Sequence, residues 1–247
     1  MGNCIENEGI APLNNGVINL KMSGSNEPID IYYFPPSPPS RAALMLIKAL
    51  GLKHNVKTVV LPNGEHMKPE FLKLNPLHTI PVIEDNGFTL YESHVIMKYL
   101  VDVYGKDDSL FPKDPKKGAI VNLRCYFSAC YLFPRFAEYH VPTMFHGVPP
   151  SEEGLKKLKE VLEHLNGFLD NQMYVAGPTL TVADFANITV ITTIDASGSV
   201  DLRSYPNIWM WYQRCKKSME EYGFEEVNQA GASAFGQMYK TKLSSIK

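Results

Sequence analysis

Three short stretches of this chain hold residue types able to do chemistry. The first is Phe34-Pro35-Pro36-Ser37-Pro38-Pro39-Ser40-Arg41. It sets a hydroxyl between the end of a β-type run and the start of a helical one. Helix N-termini carry free N–H groups and the positive end of the helix dipole, so they favour anions. Ser37 is therefore a candidate donor to a bound thiolate or oxyanion. The same residue, just before Pro38, also fits an N-cap ahead of a proline in the first helical turn. The turn by itself favours the cap.

The second stretch is Asn75-Pro76-Leu77-His78-Thr79-Ile80-Pro81-Val82-Ile83. Pro81 opens a strand and cannot donate a ladder bond, so it belongs on an edge or at a special turn. A cis Ile80-Pro81 bond would turn the Ile80 backbone outward, toward an extended ligand. X–Pro bonds are trans by default, so the residues alone predict trans. The third stretch is Tyr91-Glu92-Ser93-His94, between a hairpin and a helix. The Ser93 amide and hydroxyl suit a carboxylate, and Glu92 suits an ammonium. One amino-acid-like group would satisfy both. An acidic first helical turn explains Glu92 equally well. His66 and His78 are either further ligand contacts or ordinary surface residues. No HxH or HExxH spacing accompanies them, so no metal is expected.

The chain that must position these residues has 247 of them, 45% hydrophobic and 20% charged, enough for one large or two small domains with a core of normal size. With 24 basic against 26 acidic residues, it offers no gross attraction to nucleic acid. No apolar run is long enough to span a membrane. Cys4, Cys125, Cys130 and Cys215 form no CxxC pair and fit free thiols of a reducing compartment, which predicts a cytoplasmic protein. Residues 1–28, rich in Asn and Gly, read as a disordered leader. Its Met-Gly-Asn-Cys start partly matches an acylation signal, with Glu6 standing where a serine or threonine is wanted. A start at Met22 is the other reading.

From residue 29 the periodicity predicts strand (30–34), helix closed by Gly51, and strand (56–61), a βαβ unit with parallel strands. A short helix at 68–74 follows. Two strands then meet at Asn86-Gly87, a hairpin turn, before a helix that ends at Gly105. Beyond 111–117 only helical periodicity remains, at 116–145, 151–171, 181–197, 205–217 and 227–243. The expected organisation is an α/β domain at 29–106 and an all-helical domain at 114–247. Thr181-Val182-Ala183-Asp184 reads as a capping box, and Pro134 is expected to bend the helix that contains it.

Taken together, "SPPSR", "LNPLHTIPVIEDNGFTLYESHVIMKYL" and "AGPTLTVADF", in this order over residues 29–240, resemble the cytosolic glutathione S-transferases, and within them the insect delta and epsilon classes. "ESH" and the closing "FEEVNQAGASAFG" lean toward epsilon. The resemblance implies a thioredoxin-like domain binding glutathione as co-substrate, with no metal, followed by a helical-bundle domain. It implies Ser37 as the catalytic hydroxyl, His66 and His78 at the glycine end, and Ile80 beside a cis Pro81 pairing with the cysteinyl backbone. Glu92 and Ser93, with His94 beside them, would hold the γ-glutamyl group. Pro36 and Pro38 stand where the family often has glycine and alanine. Phe133, Phe136, His140 and Met144 recur at three- or four-residue intervals. The resemblance turns that stripe toward a pocket for hydrophobic electrophiles, closed by Leu61, Phe235 and Met238. It further implies a homodimer acting in detoxification. A hydrophobic-ligand carrier of the same fold, with weak or no catalysis, is the alternative.

Overall fold

The computed structural model describes residues 27–246. The expected leader therefore lies, up to residue 26, outside the described residues. Strand β1 (Ile29–Tyr33) leads to helix α1 (Pro38–Ala49) and then β2 (His54–Thr58). Helix α2 (Pro69–Leu74) precedes the hairpin β3 (Val82–Asp85) and β4 (Phe88–Tyr91), and α3 (Ser93–Tyr104) ends the domain. The sheet order is β2-β1-β3-β4, with β1 parallel to β2 and antiparallel to β3. This is the thioredoxin-like arrangement.

Strand alternation explains the layers. Ile29, Ile31 and Tyr33 point to one face and are buried with α1 and α3. Tyr32 points to the other, where it meets Phe71 of α2 edge-on at 6.0 Å. Strand β2 begins and ends earlier than the expected 56–61. Val59 still donates to Tyr33 O at 2.8 Å, but Leu61 opens a 3-10 turn with Pro62, which has no N–H to continue a ladder. Asn86 and Gly87 take the positive φ values, 52° and 82°, that a two-residue hairpin needs. Asp85 then ties the hairpin to α3, accepting from Tyr99 and Tyr104 at 2.7 and 2.6 Å.

The second half is helical: α4 (Pro115–Phe127), α5 (Phe133–His146), α6 (Glu152–Phe168), α7 (Val182–Ser197), α8 (Pro206–Ser218) and α9 (Ala230–Ser244). Helices α4 and α5 are joined by a π turn, Ser128–Leu132, which delivers the Phe133 N–H to Ser128 O. The wide turn sits where Pro134 cannot donate to the preceding turn, so the expected irregularity takes this form. A second π turn, Phe224–Gln229, leads into α9.

Helix α7 is buried nearly all round, its polar Asp184, Asn187 and Thr189 included, as a central helix must be. It packs against α1 and α3 of the first domain and against α4, α5, α8 and α9 of its own. Its start is the expected capping box. Asp184 accepts from Thr181 N and Val175 N, each at 2.9 Å, and from Trp211 Nε1 at 2.9 Å. Burial pushes its carboxyl up to about 6 against the pull of those donors.

Candidate active site

A cavity of about 440 Å³ opens between the two domains. Its first wall is the start of α1. Ser37 is the N-cap, with φ −78° and ψ 116°, and its Oγ accepts from Ser40 N at 3.4 Å. Accepting uses a lone pair and leaves the hydroxyl proton free. The two roles open in the sequence are thus compatible. Ser37 caps the helix and also lines the cavity, with Pro39 and Ala42 beside it.

The second wall is the loop from His66 to Pro81. Its organiser is Asn75, fully buried, an amide that sequence reasoning passed over although it stands inside the quoted motif. Asn75 Nδ2 donates to Thr79 O and Oγ1 at 2.9 Å, and its Oδ1 accepts from Leu77 N at 3.0 Å. Held this way, His78 takes φ 48° and its ring comes within 6.1 Å of the His66 ring. Burial, and then the neighbouring His78, lower the His66 pKa below its ordinary value. His66, His78, Ile80 and Pro81 all line the cavity, and the Ile80-Pro81 bond is cis, against the default reading of the residues alone.

The third wall is Glu92, Ser93 and His94 at the start of α3. Glu92 has φ 70° and ψ 104°, and its side chain makes no capping bond. Glu92 is thus the N-cap residue of α3 without a capping bond from its side chain, and its charge still lies at the favourable end of the helix dipole. A non-glycine residue in that backbone region costs on the order of 1–3 kcal/mol, and here the strained residue is a carboxylate at the cavity edge. Ser93 is buried, and its Oγ lies 3.5 Å from His94 Nδ1. Burial takes His94 down to about 4, so its ring is neutral at physiological pH; its Nε2 is buried without a partner.

The wall facing these comes from the helical domain and is short-chained. Ser128, Ala129 and Phe133 enter from the π turn and the first residue of α5, and Ala186 and Val190 from one face of α7. The sequence offered no pointer to the α7 pair, since a helix whose apolar residues fall on every face does not say which face borders a cavity. Leu61 lines the cavity as expected.

The rest of the expected apolar pocket needs correction. Phe136 is only 2% exposed, packed 4.6 Å from the His140 ring and 5.3 Å from Phe235. His140 is fully buried, Nδ1 donating to Phe136 O at 2.9 Å and Nε2 3.1 Å from Ser199 Oγ. Burial takes its pKa down to about 4. Phe136, His140 and Phe235 belong to the core, and Met144 and Met238 are half-buried away from the cavity lining. The stripe is real, but α5 leaves the cavity as it runs. Only Phe133 meets the cavity, and α9 covers the turns beyond it.

The glutathione S-transferase N-terminal domain model matches residues 36–103, and the C-terminal domain model matches residues 132–218. A delta-class glutathione transferase of Nilaparvata lugens is 48% identical, with a TM-score of 0.83 over 87% of this chain and 100% of that one. An epsilon-class glutathione S-transferase of the housefly, Musca domestica, is 38% identical, with a TM-score of 0.82 over 87% of this chain and 98% of that one. A glutathione transferase homologue of Drosophila mojavensis, solved with bound glutathione, is 36% identical, with a TM-score of 0.80 over 87% and 97%. Identity is thus higher to the delta-class protein than to the epsilon-class one.

Proposed function

The chain belongs to the glutathione S-transferase family and is a glutathione transferase, and on that premise we propose that Ser37 holds the sulfur of glutathione as thiolate while an apolar electrophile is attacked against the α7 wall. The observation that carries this reading is the Ser37 hydroxyl. It stands at a helix N-terminus, lines the cavity, and has its proton unspent.

A free thiol has a pKa of about 8.5; holding it mostly ionised near neutral pH asks for a shift of about two pH units, or about 2.7 kcal/mol. A hydroxyl donor and the α1 dipole both act on that charge. Ser37 donates and keeps its proton, so no base is needed to activate it. Glu92 takes the γ-glutamyl ammonium and Ser93 its carboxylate, with His94 behind them. The Ile80 backbone, next to Pro81, pairs with the cysteinyl residue, and His66 and His78 reach the glycine end. Ala129, Phe133, Ala186 and Val190 leave room for a bulky apolar electrophile and exclude water from the sulfur.

The oligomer we infer is a homodimer. Leu123, Tyr126 and Tyr131 lie along α4 and its π turn, 54%, 66% and 61% exposed. A face of that kind asks for a partner. Sedimentation equilibrium should show a dimer, and Tyr126→Asp should shift it to monomer. Among the described residues no helix is long and apolar enough to cross a membrane. The role we infer is detoxification in the cytoplasm.

The test of function is conjugation of glutathione to a panel of aromatic and alkenal electrophiles. Turnover that depends on glutathione is expected. Tight binding of apolar ligands with no turnover would instead establish the carrier reading.

A further inference from the structure

Arg41 stands in the first turns of α1, four residues after Ser37, and is fully buried. Its guanidinium donates to Asn228 O and Asn228 Oδ1, both at 2.6 Å, to Thr189 O at 3.0 Å, and to the Thr193 hydroxyl. Every one of these acceptors is neutral. The titratable groups nearest it are Tyr33 of β1 and Tyr212 of α8, phenols whose pKa values burial raises, so both stay protonated. Glu225 and Glu226, on the same π turn as Asn228, pair with Lys216 and Lys48 instead. No carboxylate pairs with Arg41 among the described residues.

Asn228 makes this informative. It is fully buried, and its Oδ1 accepts from Arg41 and, at 3.0 Å, from Thr192 Oγ1. Its Nδ2 has no partner. An aspartate has the same shape. It would keep both acceptor contacts, remove the orphaned donor and neutralise the buried cation. Stability alone favours aspartate here, and the chain has asparagine.

The position of the charge gives the asparagine a use. Helical side chains lean toward the N-terminus, so the Arg41 stem runs back beside the turn that carries Ser37. A Cβ on Gly231 would meet Pro35 O at 2.3 Å and Arg41 Cδ at 2.4 Å, which places the stem and that turn against the same point of α9. On its other side Arg41 holds Thr189, the neighbour of Val190 in the cavity wall. We propose that Arg41 is a positioning residue whose uncompensated charge, kept alive by Asn228, adds to the α1 N-terminus in favouring the thiolate of glutathione at Ser37. The proposal rests on the reading of Ser37 given above. Arg41 itself lies behind the cavity wall; the titratable groups lining the cavity are Glu92 and the imidazoles of His66, His78 and His94.

The test is an ultraviolet titration of the thiolate of bound glutathione in the wild type and in Asn228→Asp, with melting temperatures alongside. At a separation on the order of 10 Å and an effective dielectric constant of about 20, neutralising Arg41 should raise the thiol pKa by about one pH unit. Conjugation at pH 6.5 should then fall up to about tenfold and recover at pH 9, without loss of melting temperature. A folded Asn228→Asp with the wild-type titration would overturn the proposal and leave Arg41 as a structural clamp. Should Asn228→Asp not fold, Arg41→Lys against Arg41→Gln makes the same distinction. The lysine variant should keep the wild-type titration and the glutamine variant should raise it, and equal titrations would overturn the proposal. A wild type whose bound glutathione titrates like the free thiol would remove the Ser37 reading itself, and this proposal with it.

Discussion

The sheet-side wall of the cavity is made from irregular loop backbone, whereas the helical wall is made from helical turns, one of them a π turn, with mostly short side chains. On the first side His78 and Glu92 hold φ values of 48° and 70°, and the Asn75 amide staples the loop between them and α2. On the second, Ala186 and Val190 of α7 and Ala129 of the π turn contribute chiefly by being small. The polar side is therefore fixed for one ligand, because changing it means changing the backbone path. The apolar side is defined by volume and can be altered one side chain at a time. A transferase that keeps its thiol donor and varies its acceptor needs this division.

The contrast can be broken in several places. The largest effect is expected where α5 enters the core. Phe136→Ala should cost about 3–5 kcal/mol of stability and lower all activities together, seen as a fall in melting temperature with unchanged substrate ranking. Next is acid sensitivity. His140 is buried and neutral, with its folded pKa at about 4 against an unfolded value near 6.5. Its contribution to stability is whole above pH 6.5 and is lost as pH falls toward 4, about 3 kcal/mol in all. Urea unfolding at pH 7.5, 6 and 5 measures that slope, and His140→Asn should reduce it, leaving the part that buried His94 contributes in the same way.

Ser37→Ala should lower turnover about a hundredfold, as loss of one donor to a developing anion does, while glutathione affinity stays nearly level. Unchanged turnover would return Ser37 to capping alone. Glu92→Ala should weaken glutathione binding by about 1.5–3 kcal/mol, read by calorimetry. The melting temperature should stay nearly level, since the side chain makes no capping bond and alanine keeps the same backbone strain. The smallest and most selective effect belongs to Phe133→Ala. It should reorder the electrophiles and leave both stability and glutathione affinity nearly intact. A general loss of activity there would show that the helical wall is as rigid as the other.

The same contrast explains what could be read from the residues. Ser37, the 75–83 loop and Glu92-Ser93-His94 are each compact in sequence, so a strand end, a turn and a helix start announce them. The Asn86-Gly87 hairpin and the Thr181–Asp184 box were legible for the same local reason. The acceptor wall was not. Periodicity showed that Phe133, Phe136, His140 and Met144 share a stripe, but not that α9 covers most of it. That depends on packing about a hundred residues further along the chain. Arg41 and Asn228, 187 positions apart, meet only in the fold. The end of β2 moved because Pro62 and the 3-10 turn it sits in stop the ladder sooner than apolar content suggested.

The π turn at Ser128–Leu132 gives the acceptor wall a second way to change. It holds one residue more than an α-helical turn would use. Deleting a single residue within it would rewind the segment as α-helix and rotate α5 by about 100° relative to α4. Phe133 would swing off the cavity and a different side chain would take its place, with no substitution made. In this enzyme the length of the chain, as well as its lettering, is a source of new substrate preferences. A one-codon deletion library across that turn would sample acceptor pockets that no point mutation reaches.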